Sequence, residues 1–323
     1  MTHFDSAPVA LVGRAAELET ISTFLDGAAV DGSPLVVTGD PGVGKTALLS
    51  AAEMLALDGG FRVVSGAGIE YESDVSFAGL HQIVDPIAEE LRNLPRASRI
   101  AIEVAVGRGP GPPPERLTLL NATLALLRQA ASASPLLIVI DDLHWLDRAS
   151  GAVVGFIGRR LRGSRIGMLG ATRAGLSSFF ERAGMPQMDV RPLSEEAALD
   201  LLKRTFVHLS SRVARQIVDD AQGNPLALLE FAAAASRPPT SRRQPAVTSG
   251  TSREVRALYL ERIEDSRYRP GVCCCLRRWR DRETFGCSLR QLRPRASTIS
   301  DPRRRTTSSH WTTGPPHSSS GIP

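Results

Sequence analysis

Lysine is almost missing from this chain: Lys45 and Lys203 stand against 37 arginines. A bias of that size points to codon usage in a GC-rich genome, and it marks a surviving lysine as one the chain requires. Cysteine is absent from the body, since Cys273, Cys274, Cys275 and Cys287 all sit near the C-terminus. The body therefore has no disulfide framework and no thiolate metal site. No apolar run reaches the ~18 residues of a membrane helix. The most apolar one, Leu136 to Ile140, is strand-sized. The opening residues, MTHFDSAPVALVGR, lack a basic start followed by an apolar stretch, so no secretory leader and a cytoplasmic location are expected.

The net charge of +5 is unevenly spread. Residues 267–323 carry a net +9, with 12 arginines and 3 acids, and the preceding 266 residues carry −4. A hydrophobic share of 42% is enough for a sizeable core.

The body alternates strand and helix signals. Residues 15–28 read as an amphipathic helix, Leu35 to Thr38 as a buried strand, Lys45 to Leu57 as a helix and Phe61 to Ser65 as a second strand. Helices are expected over Phe77 to Leu91, Ala97 to Val106 and Arg116 to Ala131, with GRGPGPPP at 107–114 as a surface loop. Leu136 to Ile140 is apolar on every residue, as in a parallel sheet covered on both faces. A helix over Ala149 to Leu161 and a strand over Arg165 to Ala171 follow. After Pro192 the pattern is wholly helical: Ser194 to Thr205, Ser211 to Ala221 and Pro225 to Ala235. The fold class expected is α/β, a parallel sheet flanked by helices and followed by a small helical lid. The domain boundaries expected are 1–192 for the core, 193–235 for the lid, 236–250 for a linker, 251–265 for the start of a further helical region and 266–323 for a disordered basic tail.

Gly39-Asp40-Pro41-Gly42-Val43-Gly44-Lys45-Thr46 fits G-x-x-x-x-G-K-[ST], between an apolar strand and a helix. Such a loop turns successive backbone N–H groups onto phosphate oxygens, helped by the helix N-terminus that continues into Ala47. Lys45 is placed to reach the β- and γ-phosphates and Thr46 to ligate Mg²⁺. The apolar strand ending at Asp141 and Asp142 supplies carboxylates where open α/β sheets bind ligands. Asp141 is expected to hold Mg²⁺ through water, and Asp142 to orient or activate the attacking water. Arg173, at the end of the next strand, is read either as a γ-phosphate sensor or as a surface arginine of an Arg-rich chain.

These residues resemble the STAND class of AAA-like P-loop NTPases, and more narrowly the ATPase domain of large ATP-binding regulators of the LuxR family. The resemblance covers about residues 9–265. Its most specific piece is Asp141-Asp-Leu-His-Trp-Leu-Asp147. Val12-Gly13-Arg14 with Glu17 is similar to the family's N-terminal motif near the adenine. Phe77-Ala-Gly-Leu-His-Gln82 looks like the segment after its second strand, and Leu193-Ser-Glu-Glu-Ala197 with Gly223-Asn-Pro-Leu-Ala227 like its lid. The resemblance implies that ATP and Mg²⁺ are the cofactors, that Val12, Gly13 and Arg14 lie at the nucleotide, that Pro225 contacts it from the lid and that Arg173 is the sensor. Read singly, His144 and Trp145 are residues that pack the loop after the strand, His81 is a partly exposed helix residue, Glu17 a helix-face acid and Pro225 an ordinary first residue of a helix.

Beyond Ser266 the composition is too poor in aliphatics to fold. Three adjacent thiols do not have metal-ligand spacing, and no aromatic interleaving supports a nucleic-acid arm. The junction between adjacent Cys codons reads CTG or TTG in a neighbouring frame, which is Leu either way. A frameshift or sequencing error near codon 266 is therefore expected, leaving the N-terminal ATPase piece of a longer regulator. The function expected is an ATP-binding, slowly hydrolysing switch without its DNA-binding output domain. An origin-recognition-like AAA ATPase and a non-functional ATP-binding fragment are the alternatives. Self-association or an effector protein is the macromolecular partner expected, with no specific DNA binding and no membrane.

Overall fold

In the computed structural model, residues 11–175 and 184–236 are described. The expected linker beyond Ser236, the further helical region at 251–265 and the tail lie outside the described residues. The chain divides into two units at Leu276 and Arg277, and every described residue belongs to the first.

Helix α1 (Ala15–Asp31) leads into β1 (Ser33–Gly39), α2 (Lys45–Asp58) and β2 (Arg62–Ala67). Then come α3 (Ala78–Val84), α4 (Arg96–Ala105), α5 (Arg116–Ala130), β3 (Leu136–Asp141), α6 (Arg148–Gly158) and β4 (Ile166–Arg173). Strand β5 (Gln187–Val190) closes the sheet, and α7 (Glu195–Thr205), α8 (Ser211–Ala221) and α9 (Pro225–Ala235) follow. The five strands are all parallel in the order β2-β3-β4-β1-β5. This is an α/β fold of the P-loop NTPase type.

Alternation along the strands explains why they are apolar throughout. Ile138, Ile140 and Met168 enter a core with α5 and α6, while Leu137, Val139 and Leu169 enter a second core with α1 and α2. Both faces are thus buried, at roughly 1.5–3 kcal/mol for each fully buried aliphatic side chain. Helices α7 to α9 close around a third core that includes Leu202, Ile217, Leu228 and Phe231. No helix among the described residues is long and apolar enough to cross a membrane.

Two elements differ from the sequence expectation. The helix expected over Phe77 to Leu91 stops at Val84 and continues as a 3₁₀ stretch over Asp85–Asn93, with Ile87 off helical geometry. Pro86 removes a backbone donor there, which breaks the α-helical ladder. Strand β5 is an element not expected at all: it has four residues, and only Met188 and Val190 are buried. A short edge strand half open to solvent carries too little apolar signal to be read alone.

Candidate functional site

The loop between β1 and α2 is shaped by glycines. Gly42 and Gly44 have φ of 79° and 103°, a region that side chains disfavour. A Cβ on Gly44 would meet nothing within 4 Å, so the loop leaves open space there. Helix α2 has no side-chain cap, so the N–H groups of its first turn face that space without a side-chain partner. That combination of an uncapped helix start and an open concavity suits a phosphate.

Lys45 lies buried under the loop, and its ammonium donates to the carbonyls of Gly39 (2.9 Å) and Asp40 (3.0 Å). Burial pulls its pKa down, against the attraction of Asp142, Asp141 and Asp40. The Thr46 hydroxyl donates to Asp141 Oδ2 at 2.7 Å. Two hard oxygen donors from opposite motifs thus meet, a donor pair that suits Mg²⁺ held mainly by phosphates and water. Asp141 also accepts from the Asp142 N–H at 2.8 Å. Burial raises the pKa of both aspartates. For Asp141 the neighbouring Asp142 adds to it; for Asp142, Arg173 and Lys45 work against it.

Strand order decides where Arg173 lies. Strand β4 sits between β1 and β3, and Arg173 pairs in register with Gly39, the first residue of the loop motif. Its charge is felt by Lys45, Asp142 and His144. The arginine therefore stands among the loop and the carboxylates rather than alone on the surface.

The N-terminal motif braces the loop. Buried Arg14 donates to the carbonyls of Val43 and Arg191, both at 2.8 Å, and to Glu17 at 2.7 Å. Glu17 is thus an ion-pair partner of Arg14 and not merely a helix-face acid. Gly13 abuts the first lid helix, where a Cβ would come 2.5 Å from that of Ala197. Val12 belongs to the same turn and is half-buried.

From the other side, the start of α9 reaches the loop. Asn224 Nδ2 donates to the Pro41 carbonyl at 2.9 Å, and the Leu226 N–H donates to the Gly42 carbonyl at 3.2 Å. The Asn224 side-chain oxygen also caps α9, accepting from Leu226 and Ala227. Only a glycine at position 42 permits this approach, because a Cβ there would meet Asn224 Oδ1 at 2.8 Å. Pro225 sits half-buried at the first position of α9, between the two residues that make these contacts. Asn224 was missed as a site residue, although an Asn before a Pro at a helix start signals a cap.

The last residue of the carboxylate motif, Asp147, is structural. Asp147 is buried, caps α6 through the Ser150 N–H (2.9 Å) and accepts from Phe77 N–H (2.9 Å) and Gly79 N–H (3.1 Å). Phe77 is left-handed with φ of 66°, held in place by that carboxylate. Gln82 pairs through its amide with both the N–H and the carbonyl of Ala67. These contacts explain why the Phe77 to Gln82 segment and Asp147 go together.

With this geometry in view, residues 10–169 match the family model described as an AAA ATPase domain. Among solved structures the chain is similar to a Walker-type ATPase of Pyrococcus abyssi, at 14% identity and a TM-score of 0.51, covering 80% of this chain and 76% of that one. It is also similar to Cdc6p of Pyrobaculum aerophilum, at 20% identity and a TM-score of 0.49, covering 72% of this chain and 64% of that one. A third is the signal-transduction ATPase with numerous domains and a tetratricopeptide-repeat sensor of Pyrococcus horikoshii, at 18% identity and a TM-score of 0.46, covering 72% of this chain and 31% of that one. At 14% identity the likeness to the first of these is one of fold. The chain spans under two thirds of the length of the last two. No curated protein matches it in sequence.

Proposed function

We propose that this domain binds ATP with Mg²⁺, hydrolyses it slowly and works as a nucleotide-dependent switch within a LuxR-type transcriptional regulator. One observation carries the switch reading: the first residues of α9 are hydrogen-bonded to the phosphate loop at Pro41 and Gly42. A nucleotide seated on that loop would bias the position of the lid, which is what a switch requires.

The roles follow from the placement. Backbone N–H groups of the loop from Gly39 through Ala47, including those of Asp40, Gly42, Val43 and Gly44, cradle the phosphates. Lys45 turns from the loop carbonyls to the β- and γ-phosphates, and Arg173 senses the γ-phosphate. Thr46 and Asp141 would hold the Mg²⁺, which would neutralise phosphate charge. Asp142 orients the attacking water. Val12, Gly13 and Arg14 flank the base, and Pro225 faces the nucleotide from the lid.

The regulator reading is supported by the order of motifs from Val12 to Ala227, and the frame argument at codon 266 supports a longer original product. Sequencing the DNA downstream tests this directly: a helix-turn-helix encoded in the other frame is expected, and its absence would remove the regulator from consideration. The AAA-domain match supports an origin-recognition-like AAA ATPase equally well. That second reading requires ATP-dependent ring assembly and an arginine supplied in trans. Light scattering with ATP and with ADP separates the two, since a ring grows with ATP while the switch changes lid exposure within one chain. A fragment that binds ATP without any lid response would be the non-functional alternative. No sequence-specific DNA binding is expected of this chain: gel shifts of unrelated duplexes should look alike and vanish together as salt is raised.

A further inference from the structure

His144 does not behave as a packing residue. Its side chain is only 6% exposed, yet neither ring nitrogen has a hydrogen-bond partner. Leaving such atoms buried and unpaired is unfavourable, a cost that a phenylalanine or leucine in the same place would not carry. Nε2 stands 3.8 Å from Asp142 Oδ1. The ring leans on Trp145, with centroids 5.3 Å apart at 44°, which fixes its plane.

The Asp142 backbone is left-handed, with φ of 46° and ψ of 50°, and its N–H is held by Asp141 at 2.8 Å. The backbone is thus fixed, while the carboxylate is half exposed. A rotation that shortens the gap by less than 1 Å makes a full hydrogen bond.

We propose that His144 is a positioning residue for Asp142: its imidazole N–H closes onto the Asp142 carboxylate when a nucleoside triphosphate binds, and so aims that carboxylate at the attacking water. This rests on the hydrolytic reading of the site above. Burial, with Arg173 and Lys45 nearby, holds the His144 pKa at about 4, so the ring is neutral at pH 7. A neutral donor orients Asp142 without the full positive charge that would weaken it as a base. In the step itself the water oxygen bonds to the γ-phosphorus as the bond from phosphorus to the β,γ-bridging oxygen breaks. ADP leaves with that electron pair. One water proton stays on the phosphate formed, and the other passes to Asp142 and then to solvent.

The test uses the full chain with His144→Phe and His144→Gln, the second placing an amide N–H near the position of Nε2. ATP affinity should stay within about twofold of wild type for both. Single-turnover hydrolysis should fall about tenfold or more in His144→Phe, and His144→Gln should recover most of that loss. On an Asp142→Asn background, His144→Phe should add little, because the two act as one unit. Independently of turnover, the His144 ring ¹⁵N resonances should shift toward a hydrogen-bonded N–H when a non-hydrolysable ATP analogue and Mg²⁺ are added. Wild-type turnover in His144→Phe, additive losses with Asp142→Asn, a main effect on affinity, or unmoved ring resonances would each overturn the proposal. If wild type itself fails to bind ATP, or Asp142→Asn hydrolyses like wild type, the hydrolytic reading fails first and takes this one with it.

Discussion

The Thr46 hydroxyl and the Asp141 carboxylate, 95 residues apart in sequence, are joined by a 2.7 Å hydrogen bond. The bond brings the two motif ends to one point, where a divalent cation would take both oxygens. Asp141→Asn should therefore weaken Mg²⁺-dependent ATP binding itself. Asp142→Asn should keep affinity within a few fold and lower turnover. Titration of ATP with and without Mg²⁺, together with phosphate release, separates the two. Wild-type hydrolysis in both variants would remove this pair from the site.

Lys45→Ala should cost on the order of 2–4 kcal/mol in ATP affinity. The ammonium is already buried beneath the loop, held by the carbonyls of Gly39 and Asp40. Alanine also leaves those carbonyls without their donor, so a modest loss of thermal stability should accompany the loss of affinity. Equal affinities of variant and wild type in Mg²⁺ would contradict the phosphate-loop assignment.

Asn224 has two jobs that substitution can separate. Asn224→Asp keeps an oxygen to cap α9 but removes the donor to Pro41. Asn224→Ala loses both, and the lost cap is worth about 1 kcal/mol. Thermal melts should show the larger drop for Ala. Both variants should lose the protection that ATP gives the lid against protease, if the tether couples lid to nucleotide.

Removing Asp147 should damage the fold rather than the chemistry. Asp147→Ala strands the N–H groups of Phe77, Gly79 and Ser150, roughly 3 kcal/mol or more in total. Asp147→Asn, which keeps one acceptor oxygen, should lie between. Urea unfolding reads this directly, and ATP affinity of the folded fraction should change little.

Acid should weaken the fold through His144. The folded pKa of about 4 lies below the ordinary 6.5, so the unfolded chain binds more protons between these values. Stability contributed by the neutral ring is present above pH 6.5 and is lost as pH falls toward 4, by an upper bound of roughly 3 kcal/mol. His144→Phe has no such proton to gain. The difference in urea midpoint between it and wild type should therefore widen in favour of the variant from pH 6.5 to pH 4. A constant difference would mean that the ring takes up its proton as readily in the folded state as in the unfolded chain.

The sequence alone determined the residue pattern at the two strand ends. A glycine loop with Lys45 and Thr46, and an apolar strand ending in Asp141 and Asp142, are local patterns in which backbone geometry and residue type suffice to predict an α/β phosphate site. The lid helices were legible for the same reason, through their 3.6-residue periodicity and the serine caps at Ser194 and Ser210. Tertiary structure decided everything that depends on which strands are neighbours. Insertion of β4 between β1 and β3 sets Arg173 beside Gly39, and no local pattern encodes strand order. The same holds for Arg14 bracing Val43, Asn224 gripping Pro41 and Asp147 holding Phe77, since each is a hydrogen bond between segments 29 to 183 residues apart. His144 shows the limit most clearly. Its place two residues after Asp142 in sequence suggests only packing, and burial of both ring nitrogens without a partner is something only the folded chain creates.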